Sequence, residues 1–514
     1  MKSRSLLLAS LLGVLPLATS AAPEATLVLH ADQSGPVVHR HLFGQFAEHL
    51  GHLVYGGLWV GPDSPIPNTR GIRNDVLAAL KNLHVPVVRW PGGCFADNYH
   101  WRNGVGPRNQ RVPTLNSTWG GVVDTNQFGT HEFLDLCELI GADPYVCGNV
   151  GSGSVQEMAD WVEYMTSDAD TPMANLRRAN GRAQPWKVPY FGVGNESWGC
   201  GGNMRPEFYA DNYRRYQTFV KEFGGNRIFK IASGASDTNY RWTEVLMGEA
   251  ATMMNGLSLH YYTVPSGNWE HKGSATAFGE DQWFSTLQKT LLLDGYLTRH
   301  SAIMDQFDPQ KKVGLIVDEW GIWTDVEPGT NGAFLFQQNS LRDALAAALN
   351  LHLFQRHLDR VVMANIAQMI NVLQAMMLTD GPKLVLTPTY HTFQMLSVHQ
   401  DATTLPLELK TPDYTFGQES IPAVSAAASR DAAGRIHLSF VNANPREAII
   451  VHCSLSGVAP KTVSGRVLTG PAMNACNTFA APQTVQPQPF SGATLADGGL
   501  KVALPARSVV VLEL

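Results

Sequence analysis

An α/β fold, a (β/α)8 TIM barrel followed by a C-terminal antiparallel β-sandwich domain, is what this sequence predicts, on three observations. Between residues 41 and 370, eight short apolar runs alternate with helix-like stretches, the pattern of a closed parallel sheet wrapped by helices. Two of those runs, FGVGNESWG (191–199) and LIVDEWG (315–321), end in glutamates, Glu196 and Glu319, set among tryptophan and glycine. A barrel builds its active site by delivering polar groups at the C-terminal ends of its strands. Beyond residue 385 the texture changes to period-two alternation broken by Gly, Pro and Asn turns.

Residues 1–21 read as a secretory signal. Lys2 and Arg4 precede LLLASLLGVLPLA, and the small-residue stretch ATSAA supplies a cleavage site. Residues 22–40 predict an N-terminal strand that joins the sandwich. The barrel is expected over 41–385, its strands being HLFGQFAEH (41–49), VPVVRWPGG (85–93), DPYVCGNVG (143–151), VPYFGVGNE (188–196), FKIASGA (229–235), GLSLHYY (256–262), KVGLIVDEW (312–320) and RVVMANIAQM (360–369). IRNDVLAALKNL, SVQEMADWVEYM, RPEFYADNYRRYQTFVKEF and NSLRDALAAALNLHLFQRH supply helical spacing between them. Residues 386–514 form the expected sandwich, with strands in AVSAAASRDAAGRIHLSFVNAN, REAIIVHCSLSG and LKVALPARSVVVLEL, while QPQPFSGATLADGG reads as surface loop.

Composition narrows the function classes. With 44% hydrophobic and 16% charged residues the 514-residue chain predicts a large packed core rather than disorder. The net charge of −6, which loss of Lys2 and Arg4 takes to −8, and the lack of basic clusters argue against nucleic acid as a partner. No stretch after the signal is long enough to span a membrane, so no membrane partner is expected. Six cysteines (94, 137, 147, 200, 453, 476) are too few for a disulfide scaffold, and Cys453–Cys476 is the preferred pair. No CxxC or HExxH occurs, and His39, His41, His49 and His52 lack ligand spacing, so no metal site and no cofactor are expected.

In barrel order, Glu196 ends the fourth strand and Glu319 the seventh, which places both at one mouth. A carboxylate pair is the working equipment for breaking a glycosidic bond. Groups roughly 5–5.5 Å apart act as acid/base and nucleophile with retention, and roughly 6.5–9.5 Å leaves room for water and inversion. One must stay protonated while the other is ionised. Glu196 is assigned as the acid/base and Glu319 as the nucleophile; spacing alone does not distinguish them.

The strings FGQFAEHLG, VVRWPGGCFADNYHW, VGNESWGCGG, LHYY, VDEWG and ANIAQMINVLQ, in that order, resemble the α-L-arabinofuranosidases of glycoside hydrolase family 51 over essentially the whole mature chain. The resemblance implies that the acid/base Glu196 follows Asn195, which bonds the sugar 2-hydroxyl, and that Glu319 is the nucleophile. It further implies that Glu48 accepts from sugar hydroxyls, that Tyr262 lies beside the nucleophile with His260 nearby, and that Gln368 binds a hydroxyl. Arg89 orients the nucleophile, and Trp101 and Trp198 offer ring faces to sugar or aglycone. Plainer structural roles fit Arg89, His260 and Trp198 as well. One departure stands out. Where many members have asparagine after the PGG turn, this chain has Cys94, a weak hydrogen bonder. A sugar contact at that point is then weak or comes from a neighbour such as Asp97, and a disulfide at Cys94 would put its pocket role in doubt.

The implied activity is retaining, exo-acting removal of terminal arabinofuranosyl residues from arabinoxylan, arabinan or their oligosaccharides. Two other readings compete: an endo-β-1,4-glucanase or xylanase on the same barrel, and a non-catalytic carbohydrate-binding protein working through the sandwich. The intact glutamate motifs and the sparse aromatics of the sandwich count against the last. The signal implies export to the periplasm or the extracellular medium, and the resemblance admits a homo-oligomer.

Overall fold

The computed structural model describes residues 22–496 and 499–514. Residues 1–21, read from the sequence as a signal, lie outside the described residues. Eight parallel strands close into a barrel: β1 (Gly44–Phe46), β2 (Val87–Trp90), β3 (Asp143–Gly148), β4 (Tyr190–Val193), β5 (Phe229–Ser236), β6 (Gly256–Thr263), β7 (Gly314–Ile322) and β8 (Val361–Ile366). Neighbours in sequence are neighbours in the ladder, and β8 closes on β1 through Asn365 opposite Gly44. Every residue of β2 and of β7 is buried, so these strands read as apolar runs broken by the site residues Arg89, Asp318 and Glu319. Val87, Tyr145, Cys147, Ile231, Ile316 and Met363 pack together as a layer inside the barrel. The site stands above that layer.

Two antiparallel sheets make the C-terminal domain. One runs Thr403–Thr404, Val424–Arg430, Ile436–Asn442, Ser508–Glu513, Ser464–Leu468 and Gln488–Pro489 in spatial order. The other runs Leu407–Lys410, Glu24–His30, Ile449–Ser456, Gly499–Leu504 and Ala493–Ala496, and within it only the Glu24–His30 to Ile449–Ser456 pairing is parallel. Two of these strands fall in 486–499, read from sequence as loop; each is too short to show alternation. Helix Leu341–Arg356 joins barrel to sandwich. It is buried from Leu341 to Phe354, and within it His352 contacts the hydroxyls of Ser425 and Ser439 on the sandwich strands. Its buried polar groups Arg342, Asp343, Asn350 and His352 lie among apolar residues covered on every side. Among the described residues no helix is long and apolar enough to cross a membrane.

The expected Cys453–Cys476 bond does not form. Cys453 is buried in the five-stranded sheet, whereas Cys476 bridges to Ser340 beside the barrel helix. The disulfide is Cys94–Cys200, with Cα atoms 5.4 Å apart.

Candidate active site

The mouth is assembled from strand ends. After β4 the chain passes through Gly194 (φ +84°) and Asn195 to Glu196, which holds φ at +37°. That is the left-handed region, unusual for a glutamate and a strain tolerated mainly at functional sites. The turn also brings the next loop back so closely that a Cβ on Gly201 would lie 1.8 Å from the Asn195 carbonyl. This is the physical content of the glycines in NESWGCGG.

On β7 a bulge matters more. Ser258 to His260 on β6 spans two residues, while the matching stretch of β7, Ile316 to Glu319, spans three. The extra residue lets consecutive Asp318 and Glu319 both reach the site, where strict alternation would send one outward. Trp320 then faces the helices, against Phe354 and Phe393.

Arg89, buried on β2, bonds both sides of this arrangement. Its Nη1 donates to Glu319 Oε1 at 2.9 Å, Nε lies 3.4 Å from Asp318, and Nη2 donates to the side-chain oxygen of Asn195. Tyr262 donates to Glu319 Oε2 at 2.7 Å. His260 places Nδ1 2.8 Å from Glu196 Oε1 and Nε2 3.2 Å from Asp318 Oδ1. Glu196, His260 and Glu319 each bring one polar atom within 4.8 Å of the other two. That spacing would also suit a metal, but His260 has committed both ring nitrogens, so the trio is better described as a proton network.

The electrostatics separate the two glutamates. Burial, reinforced by the charge of Glu319, raises the Glu196 carboxyl above its ordinary value despite the contact with His260. Glu319 instead accepts from the Arg89 guanidinium and from the Tyr262 hydroxyl. Burial alone would lower His260, but Glu319, Asp318 and Glu196 together outweigh it and push it up to about 10. Asp318 is held at about 2: burial opposes its ionisation, and Arg89, His260 and Ser258 overcome that.

Glu48 lies on the other flank. Its Oε1 accepts from Phe95 N and Trp119 Nε1, and its Oε2 from Gln368 Nε2, all at 2.9 Å. Burial, then the charge of Glu319, raises it to about 7. The PGG turn is what admits it, since a Cβ on Gly93 would meet its carboxylate at 2.9–3.0 Å. Gln368 Oε1 has no hydrogen-bond partner.

Three of the expected contacts are corrected. Cys94 is not a free thiol in the pocket: its bond to Cys200 brings the Cys200 sulfur within 3.6 Å of Glu196 Oε2. Asp97 is buried and fully engaged, accepting from the backbone N–H groups of Val150, Gly151 and Asn195 at 2.7–2.8 Å. It builds the turn before Glu196 and does not face the sugar; burial raises it to about 7. Trp101 is 1% exposed, donates to the Glu157 carbonyl and stacks on Trp161, so it is core and not a sugar platform. Trp198 is partly exposed, tied through Nε1 to the Gly234 carbonyl. Sequence reasoning missed Asp318, Trp119 and the partner of Cys94. Asp318 was visible beside Glu319 in VDEWG, whereas Trp119 sits in an irregular loop that carries no periodic signal.

Comparison with known proteins gives a consistent answer. Residues 79–280 match the model of the α-L-arabinofuranosidase 1 domain, and residues 318–508 that of the α-L-arabinofuranosidase C-terminal domain. The chain is 53% identical over 497 residues, 96% of each chain, to a Bacteroides ovatus protein named intracellular exo-α-L-arabinofuranosidase. It superposes on the family 51 arabinofuranosidase of Xanthomonas axonopodis pv. citri with a TM-score of 0.95 at 55% identity, covering 96% of this chain and 100% of that one. For the Thermotoga maritima α-L-arabinofuranosidase in complex with arabinose the TM-score is 0.86 at 30% identity, with the same coverage. The Bacteroides relative overturns the expectation of export: so similar a protein is named intracellular, and a periplasmic or extracellular location is not retained. With a closed eight-stranded barrel, paired glutamates at its mouth and relatives matching nearly end to end, the chain belongs to the α-L-arabinofuranosidases of glycoside hydrolase family 51.

Proposed function

We propose that the protein removes terminal arabinofuranosyl units from the non-reducing ends of arabinoxylan, arabinan or their oligosaccharides, with net retention of configuration. The observation that carries this reading is the pair Glu196 and Glu319, with oxygens within 4.8 Å, Glu196 raised by burial and Glu319 bonded to Arg89 and Tyr262. That separation fits a double displacement and leaves little room for water between them. Glu319, ionised beside Arg89 and Tyr262, attacks the anomeric carbon. As the ester bond forms and the glycosidic bond breaks, Glu196 gives its proton to the leaving oxygen. Water then gives a proton to Glu196 while its oxygen displaces Glu319 from the sugar. Two inversions return the original anomer.

The Arg89 bond to Asn195 supports a role for Asn195 at the 2-hydroxyl, and the Gln368 bond to Glu48 supports a role for that pair at the remaining hydroxyls. The exo mode rests on the name of the Bacteroides ovatus relative. The endo-glucanase reading has only a shared fold behind it, a bifunctional glucanase-xylanase with a TM-score of 0.63 at 14% identity. Proton NMR of the first product from an aryl α-L-arabinofuranoside tests the mechanism. The α-anomer of arabinofuranose is expected before mutarotation, and the β-anomer would remove Glu319 from its role.

A further inference from the structure

Asp318 is 1% exposed, and both of its carboxylate oxygens are engaged. Oδ1 accepts from the Ser258 hydroxyl and lies 3.2 Å from His260 Nε2. Oδ2 accepts from the Tyr145 hydroxyl at 2.7 Å and lies 3.4 Å from Arg89 Nε. Each oxygen thus meets one hydroxyl and one ring or guanidinium nitrogen, supplied by β2, β3 and β6. An ionised carboxylate has about four acceptor sites, so none is left for a substrate hydroxyl. Burying such a charge is costly unless its partners offset it.

Pairing with Arg89 does not by itself account for this arrangement, because Arg89 also donates to Glu319 and Asn195. The other end of the carboxylate is more informative. The His260 ring stands between Asp318 and the acid/base, with Nε2 toward Asp318 and Nδ1 2.8 Å from Glu196 Oε1 and 3.6 Å from Glu319 Oε2. An ionised Asp318 offers only acceptors, so Nε2 carries a proton. With carboxyl groups at both ends of the ring, Nδ1 carries one too. Burial opposes that charge, and Glu319, Asp318 and Glu196 overcome it, pushing His260 up to about 10. The remaining titratable neighbours do not compete for this role. Burial keeps Tyr145 and Cys147 protonated, while Asp237, in the loop after β5, is raised by burial and adds to the charge around Glu196 and His260.

We propose that Asp318 is a positioning residue that acts on the acid/base through His260: it holds the ring doubly protonated, so that Nδ1 presents an N–H to Glu196 whenever Glu196 is ionised. This rests on the double displacement proposed above. Glu196 becomes a carboxylate when it gives its proton to the leaving oxygen, and it must still be one to take a proton from water. The Nδ1–H favours that form in both steps. The ring itself exchanges no proton, so the proton balance of the reaction stays with Glu196. Without the Asp318 charge the Nδ1 proton is the one more easily lost. The ring then turns from donor to acceptor, and Glu196 holds its proton to higher pH.

The test is Asp318→Asn, which keeps the shape and removes the charge. On 2,4-dinitrophenyl α-L-arabinofuranoside, whose leaving group makes the second step limiting, kcat near neutral pH falls about tenfold and KM falls with it, so kcat/KM holds. On methyl α-L-arabinofuranoside, which needs the acid, the alkaline limb of kcat/KM moves up by about one pH unit. An unmoved limb, with kcat and kcat/KM falling together on both substrates, overturns the proposal and leaves Asp318 a structural partner of Arg89. The parent chain gives a second reading that does not depend on how the variant folds. At pH 8 the His260 ring, identified by its absence in H260Q, shows two downfield N–H protons by NMR, and one alone overturns the proposal. The β-anomer as first product of the parent instead overturns the double displacement on which the proposal rests.

Discussion

Glu196 and Glu319 are the same side chain under two regimes, and the difference sits within hydrogen-bond distance of each. Because burial raises the Glu196 carboxyl, the proton it gives up in the proposed mechanism is retained to higher pH than in an ordinary glutamate. Activity therefore declines on the alkaline side as that proton is lost. Replacing Glu196 by Gln removes this limb from the kcat/KM profile on substrates with good leaving groups, and on natural linkages it slows turnover by roughly 10²–10⁴. Glu48 makes the complementary case. Its folded-state value of about 7 lies above the ordinary 4.5, so the fold prefers it protonated. The associated stability is complete below 4.5 and is lost as pH rises through 7. Glu48→Gln should therefore raise Tm at pH 8 relative to the parent, with no gain near pH 4, while kcat/KM falls. The substituted amide is accommodated because Gln368 can turn its unpartnered Oε1 toward the new N–H. A Tm scan at both pH values checks the sign.

Among the elements, the strands were legible and their irregularities were not. All eight barrel strands announce themselves as short apolar runs, because a strand buried on both faces has few polar positions to spare. The bulge in β7 leaves no such mark: one inserted residue changes which side chains share the mouth without changing composition. Asp318 therefore looked like the neighbour of a catalytic residue when it is the anchor of His260 and Arg89. Trp101 was misread because a tryptophan after a strand end looks alike whether it faces sugar or, as here, Trp161. The Cys94–Cys200 bond joins the loops after β2 and β4, partners that only the closed barrel brings together. It spans 106 residues of sequence and touches Glu196. Replacing both cysteines by serine should cost roughly 2–4 kcal/mol. It should also lower kcat, since the carboxyl of Glu196 loses a packed neighbour; denaturation and kinetics on one preparation separate the two effects.

At the scale of the molecule, barrel and sandwich share a wall. Helix Leu341–Arg356 is covered by both, so a chain ending at residue 385 would uncover a helix that is buried from Leu341 to Phe354. Such a truncation should be insoluble or bind hydrophobic dyes, and a well-dispersed, active fragment would refute the shared core. Strand Glu24–His30 adds a constraint of time. Its partners Leu407–Lys410 and Ile449–Ser456 leave the ribosome more than 370 residues after it. At about 5–20 residues per second, the strand waits on the order of 20 to 80 s with both edges open and Leu27 and Leu29 in water. Until then the chain carries an unpaired strand of the kind that other chains capture, and the yield of folded enzyme depends on how well that interval is protected.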